Sequence, residues 1–231
     1  MRSAKPIAFA HRGASGYAPE NTLEAFALAL RQGATGLESD AWLAADGIAV
    51  LVHNQTVRPP GRRIDVTRTR AADLARWGVP TLAELYNACG TGFDLSLDLE
   101  HHEVAFPVLE AAEAVGAAGR LWACHEDLDL LAELRAASSD VRLVCSTRPR
   151  RIPEGVTDRI ERLVPLGVDA LNMHWRDWTM ERVERCHDAG IAAFAWDAQE
   201  PMVMERLLEF GIDAIYSDFP DRLVAAIADR I

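Results

Sequence analysis

An α/β fold of the (β/α)8 TIM-barrel type is the architecture this sequence predicts, on three observations. Short apolar runs alternate with helical patterns eight times along 231 residues, a usual length for one such barrel. Glycines punctuate the steps from helix to strand. Imidazole and carboxylate side chains recur at the ends of apolar runs, where barrels of this type build their sites. No Gly-x-Gly-x-x-Gly follows any strand, which weakens the alternative of an open dinucleotide-binding sheet.

Each element has a local reason. Strand 1 is expected at 6–10, where Pro6-Ile7-Ala8-Phe9-Ala10 runs into His11. A helix at 22–32 follows, with Asn21 and Glu24 spaced as a capping box and Gly33 as its stop. Strand 2 spans 36–43, and a hairpin arm at 48–53 follows the tight-turn pair Asp46-Gly47. The Pro- and Arg-rich stretch 54–80 reads as a surface loop with one helical turn at 71–76. From there strands at 94–100, 120–125, 141–146, 169–175, 192–198 and 213–218 alternate with helices. Those helices are expected at 81–89, 103–116, 127–138, 155–166, 179–189, 201–210 and 220–230. Gly116, Gly190 and Gly211 each lie just beyond a helix, as C′ glycines do. Without a linker or low-complexity segment, 1–231 is expected to form one domain.

Composition narrows the function. A net charge of −11 argues against nucleic acid or an anionic membrane as partner, since both require a basic face. An anionic substrate must then be drawn in by a local cation, a metal or arginines. No apolar run approaches the roughly eighteen residues of a membrane span, so no stable membrane anchor is expected. The start moves directly into the strand bearing His11, which argues against a cleaved signal peptide. Cys89, Cys124, Cys145 and Cys186 form no Cys-x-x-Cys pair and read as buried free thiols of a reducing cytoplasm.

His11, Asp40, His53 and Glu100 fall at or near strand ends. Strand alternation turns Glu38 and Asp40 the same way, and likewise Asp98 and Glu100. Two parallel carboxylate pairs repel one another unless a divalent ion sits between them, and an all-oxygen set suits magnesium or calcium better than zinc. A lone strand carboxylate is ordinarily a cap or salt-bridge partner; the pairing of two pairs is what favours ligation. His11 gains weight as a catalyst from Arg12 beside it. His101 and His102 read as residues at a helix start. His125, His174, Trp175 and Trp196 end strands, open to a role in the pocket wall or in packing, while Trp42, Trp77 and Trp122 are assigned to packing.

His11-Arg12-Gly13, Pro19-Glu20-Asn21-Thr22, Glu38-x-Asp40, Asp46-Gly47 and His53 together resemble the glycerophosphodiester phosphodiesterase family. Pro80-Thr81-Leu82-Ala83-Glu84-Leu85 and Gly211–Pro220 resemble its segment before strand 3 and its closing strand. The likeness is specific in the N-terminal third, weak in the middle and moderate over the last fifty residues. It implies a barrel that holds one divalent cation, Mg2+ or Ca2+, and hydrolyses a small-molecule glycerophosphodiester to glycerol 3-phosphate and an alcohol. It further implies acid-base roles for His11 and His53, metal ligation by Glu38, Asp40 and Asp98, and phosphate contact by Arg12, with Trp196 expected to contact substrate. Asp98 stands where the family has a glutamate.

Other positions depart from the family's pattern. Glu100 occupies a position where a phosphate-directed lysine is usual. At ~5 Å and an effective dielectric of ~20, exchanging that attraction for repulsion is a swing of about 6 kcal/mol. Arg148, after strand 5, is a candidate to restore the lost charge. Cys124-His125, Asp197 and Asn54 also differ from the family's usual residues. The rival readings are a lysophospholipase D-type phosphodiesterase, a barrel that binds phosphodiesters without turnover, and, on fold analogy alone, a metal-dependent sugar isomerase.

Overall fold

The computed structural model describes residues 5–228. Eight parallel strands form a ring: β1 (Ile7–Ala10), β2 (Gly36–Leu43), β3 (Asp94–Leu99), β4 (Leu121–His125), β5 (Arg142–Ser146), β6 (Ala170–His174), β7 (Ala192–Trp196) and β8 (Ala214–Ser217). Each strand pairs with the next, and β1 closes the barrel by pairing with both β8 and β2. The arm Ala49–Leu51 adds antiparallel to the outer end of β2. Outside the barrel lie α1 (Leu23–Arg31), α2 (Leu82–Cys89), α3 (His102–Ala114), α4 (Leu128–Ala137), α5 (Val156–Leu163), α6 (Met180–Asp188), α7 (Pro201–Phe210) and α8 (Pro220–Ala228). This is the expected (β/α)8 barrel.

Strand alternation sorts the core into two shells. One set of positions, including Leu37, Ala41, Leu95, Leu97, Leu143 and Ile215, packs outward against the helices. The other set fills the barrel with Phe9, Trp122, Val144, Phe194 and Tyr216, all buried. Phe9 stacks on Tyr216 with centroids 4.7 Å apart, and Phe194 tilts against Trp122 at 4.9 Å. Each such side chain contributes about 1.5–3 kcal/mol by leaving water. Gly36 is required beside this plug. A Cβ there would lie 2.4 Å from the Phe9 ring, so only glycine lets β2 approach β1.

Two local expectations need correction. The cap of α1 is Thr22, whose Oγ1 accepts from the Ala25 N–H at 3.2 Å; Asn21 is left-handed, with φ 57°, and is occupied elsewhere. A true capping box instead opens α2, where Thr81 and Glu84 satisfy each other's backbone N–H groups. The stretch 54–80 is also more structured than a surface loop. A small hairpin pairs Thr56–Val57 with Ile64–Asp65, and a helical turn spans Ala71–Leu74. Val66, Ala71, Leu74 and Val79 cover Trp42 and Val50 in a separate small core. Trp77, assigned to packing, is instead 40% exposed.

Candidate active site

The side chains that continue the inward phase of each strand emerge together at the C-terminal mouth. After Phe9 comes His11, after Glu38 comes Asp40, and after Ser96 come Asp98 and Glu100. Val144, Ala170 and Phe194 are followed in the same phase by Ser146, Asn172 and Trp196. All of these residues except Ser96 and the apolar plug line one cavity of about 490 Å³, together with Arg12, His53 and His125.

Glu38, Asp40 and Asp98 each present a carboxylate oxygen, and these oxygens lie within 4.8 Å of one another. Register accounts for the meeting, because Asp40 is directly opposite Asp98 across the β2–β3 pairing. Burial pushes Glu38 up to about 8; His11 opposes the rise, and the neighbouring Asp40 and Asp98 add to it. Burial and Asp40 push Asp98 up to about 7, and the same two causes with Asp98 push Glu100 up to about 7. Burial and the closeness of like groups both disfavour the charged form of these carboxylates, and a divalent cation among them would favour it. Three hard oxygen donors at this spacing fit one divalent ion.

The cavity's two histidines stand differently. His11 Nδ1 lies 2.6 Å from Asp218 Oδ1, and its Nε2 is 3.9 Å from Glu38 Oε2. Burial opposes protonation of this ring, but Glu38 and the Asp218 hydrogen bond together outweigh it and raise the imidazole to about 9. Asp218 is itself fixed: its N–H donates to Gln199 Oε1 at 2.8 Å, and Ser15 Oγ donates to its carboxylate at 3.0 Å. His53, half-buried beyond the arm, is anchored through its backbone carbonyl, which accepts from Trp42 Nε1 at 3.4 Å.

Arg12 adopts φ 54°, and its backbone N–H donates to Glu38 Oε2 at 2.8 Å. Its Nη1 donates to Glu20 Oε2 at 2.9 Å, and its buried Nε faces Asp40 Oδ2 at 3.5 Å, an ion pair that lacks hydrogen-bond geometry. Gly13 permits this turn, with φ 78° and no room for a Cβ, which would lie 2.7 Å from the backbone of Ala25 in α1. Asn21 bridges the next layer. It donates to Asp40 Oδ2 at 3.0 Å and accepts from Ser39 Oγ at 2.6 Å.

The structure thus brings together all seven residues singled out as catalytic, substrate-binding or metal-ligating. His101 and His102 sit at the start of α3 and do not line the cavity. His125 lines it; His174 instead binds Asp197 at 3.2 Å, and Trp175 faces a separate groove. In the sequence Asn21 stands only as a helix cap and motif residue, and Asp218, Ser146, Asn172, Arg150 and Arg151 are not singled out as site residues; Asp218 stands there only within the closing-strand segment. Asp218 had a usable signal, since it is in phase with Tyr216 at the end of β8.

Comparison with known proteins identifies the family and the fold. The model of the glycerophosphoryl diester phosphodiesterase family matches residues 11–222. The chain belongs to that family. It is accordingly an enzyme of the phosphodiester-hydrolase class. A glycerophosphodiester phosphodiesterase from Caldanaerobacter subterraneus subsp. tengcongensis is 26% identical, over 95% of this chain and 97% of the relative. A phosphodiesterase from Oleispira antarctica, solved in complex with the product sn-glycerol-3-phosphate, superposes with a TM-score of 0.84 at 26% identity, covering 97% of each chain. The glycerophosphodiester phosphodiesterase of Thermotoga maritima shares the fold with a TM-score of 0.84 at 23% identity, over 96% of this chain and 99% of that one.

Proposed function

We propose that this protein hydrolyses a water-soluble glycerophosphodiester to sn-glycerol 3-phosphate and an alcohol, with His11 and His53 as the acid-base pair. The observation that carries the reading is the convergence of the Glu38, Asp40 and Asp98 carboxylates with His11, His53 and Arg12 on one cavity. A magnesium or calcium ion held by the three carboxylates would supply Lewis acidity and a template for the phosphate and a neighbouring hydroxyl.

The protein's own groups supply the remainder. Asp218 holds His11 at Nδ1, so the ring's Nε2 is the atom that exchanges a proton with substrate. One histidine removes the proton from the attacking hydroxyl or water, and the other delivers one to the departing alkoxide oxygen. These opposite states give a bell-shaped pH profile. The Arg12 guanidinium, hydrogen-bonded to Glu20 through Nη1 and facing Asp40 through Nε, offers its remaining N–H donors to phosphate oxygens. Arg148 lines the same cavity and is a candidate for the positive charge that Glu100 does not provide. Among the described residues no helix is long and apolar enough to cross a membrane. The cysteines are free thiols, in keeping with turnover in the cytoplasm.

The test is release of sn-glycerol 3-phosphate, followed with a coupled dehydrogenase over choline, ethanolamine and glycerol head groups. Release in Mg2+ or Ca2+, lost on chelation and in His11→Ala, is the expected result. Calorimetric binding of these diesters without release in either metal would overturn it in favour of a non-hydrolytic barrel. Turnover confined to micellar lysophospholipids would favour the lysophospholipase D-type alternative.

A further inference from the structure

The far wall of the cavity is as distinctive as the acidic one. In the closed strand order, β6 and β7 stand across the barrel from β2 and β3, which carry Glu38, Asp40 and Asp98. Asn172 and Trp196 face the cavity from those strands, and the segment after β5, Thr147-Arg148-Pro149-Arg150-Arg151, adds three arginines to its rim. The net charge of the chain is −11, so this concentration of cations is local.

The three arginines are not equivalent. Arg148 Nε donates to Asp177 Oδ2 at 3.0 Å, and its guanidinium covers the Trp196 ring at 5.4 Å. Arg151 donates to Glu126 at 3.0 Å. Each carboxylate fixes its arginine through one N–H and leaves the other donors pre-oriented, which lowers the ordering cost of holding an oxyanion. Arg150, exposed on the short 3-10 turn Pro149–Arg151, makes no ion pair among the described residues. A second observation points to a ligand. Asn172 is 4% exposed, yet its Oδ1 has no hydrogen-bond partner, while its Nδ2 donates to Ser146 Oγ at 3.3 Å. A buried amide atom left unmet on a cavity wall is a cost that a bound polar group removes.

We propose that this wall is a subsite for the leaving alcohol, and that the preferred diester carries a phosphate or carboxylate on that alcohol. The inference rests on the glycerophosphodiester reading and names its substrate class. Arg150, with the free edges of Arg148 and Arg151, takes the anionic group, and Asn172 meets a hydroxyl along the arm. The arrangement also disfavours the opposite charge. Trp196 is the aromatic face on which a quaternary ammonium would rest, but the Arg148 guanidinium already covers it, so a choline arm meets cations instead of an open ring.

The experiment compares kcat/KM for glycerophosphodiesters of glycolate (anionic), glycerol (neutral) and choline (cationic), in wild type and Arg150→Glu. Wild type is expected to favour the glycolate diester over the choline diester by roughly tenfold or more, the scale of one charge-assisted hydrogen bond. Arg150→Glu is expected to cut that ratio by a similar factor. An equal fall for all three arms would place Arg150 at the diester phosphate and overturn the subsite, as would an unchanged ratio.

Calorimetry with 2-hydroxyethyl phosphate and with choline, in chelator on His11→Ala with and without Arg150→Glu, separates this inference from the hydrolase reading. Binding of the phosphate that Arg150→Glu weakens, with no diester cleaved by wild type, keeps the subsite and removes the hydrolase. Cleavage without head-group discrimination does the reverse, and neither cleavage nor binding removes both.

Discussion

Replacing Asp218 by asparagine keeps the shape of the group that holds His11 and removes its charge. The contact is short, 2.6 Å from Nδ1 to Oδ1, and is one of the two influences that carry the imidazole to about 9 against the opposing effect of burial. A hydrogen bond to a charged group is worth about 1.5–3 kcal/mol, which corresponds to about one to two pH units. The Asp218 side chain is 33% exposed, and water screening takes the expectation to the lower end, a fall of about one pH unit. The direct assay is an NMR titration of the His11 ring in chelated protein, wild type against Asp218→Asn. A ring that titrates at the same pH in both would refute the assignment and leave Glu38 as the sole cause. In metal-loaded protein the kcat/KM profile then identifies the role of His11. If it must start neutral as a base, the acid limb moves to lower pH; if it must start protonated, the alkaline limb moves down. Stability follows in step. The folded value lies above the unfolded one of 6.5, so the contribution is full below about 6.5 and is lost as pH rises through about 9. Denaturant unfolding of the chelated pair is expected to show its largest gap at the acid end of that window.

Three further outcomes are expected. Glu38 and Asp98, at about 8 and about 7 in the folded protein, hold protons that the unfolded chain has already lost, so chelated protein loses stability as pH rises from about 5 to 8. Mg2+ or Ca2+ flattens that loss and releases protons on binding; calorimetry at pH 7 in buffers of different ionisation enthalpy showing no release would contradict it. Asn21→Ala leaves Asp40 without its amide donor and is expected to weaken metal affinity by about tenfold or more, read by titration with calcium, with the far-ultraviolet spectrum unchanged. Gly13→Ala must adopt φ 78° and push a Cβ to 2.7 Å from the Ala25 backbone; the backbone strain alone costs about 1–3 kcal/mol, and an undiminished melting temperature would refute that geometry.

The barrel was legible because its signals are local. Apolar runs, glycines beyond helices and turn pairs place β2 at Gly36–Leu43 and α7 at Pro201–Phe210, the same bounds reached from sequence alone. Asn21 misled for a physical reason. Asparagine is both a good cap and one of the few residues that tolerate a left-handed turn, and only the position of Asp40 across the mouth decides between the two uses. The stretch 54–80 was underestimated because its strands are two residues long. Its apolar residues show a partner only once Trp42 and Val50 are placed above them. Pairs such as Arg148 with Asp177 join loops that follow different strands, and no spacing along the chain announces them.

One rule connects the packing of this molecule with its chemistry. The two-residue alternation that turns Phe9, Trp122, Val144 and Phe194 into the barrel carries the same faces onward to the mouth, where the next inward position is no longer sealed by a layer above. An apolar side chain there would gain little, and a polar one is free to meet a ligand. His11, Asp40, Asp98, Ser146, Asn172 and Trp196 are therefore the top layer of the core, held in place by the layers beneath. Tyr216 shows the join directly. Its ring stacks on Phe9 within the plug, while its hydroxyl hydrogen-bonds Ser96 Oγ at 3.0 Å, one inward step below Asp98. A substitution in the aromatic layer should thus disturb the acidic triad through β3, which ties the strength of metal binding to the packing of the plug beneath the mouth.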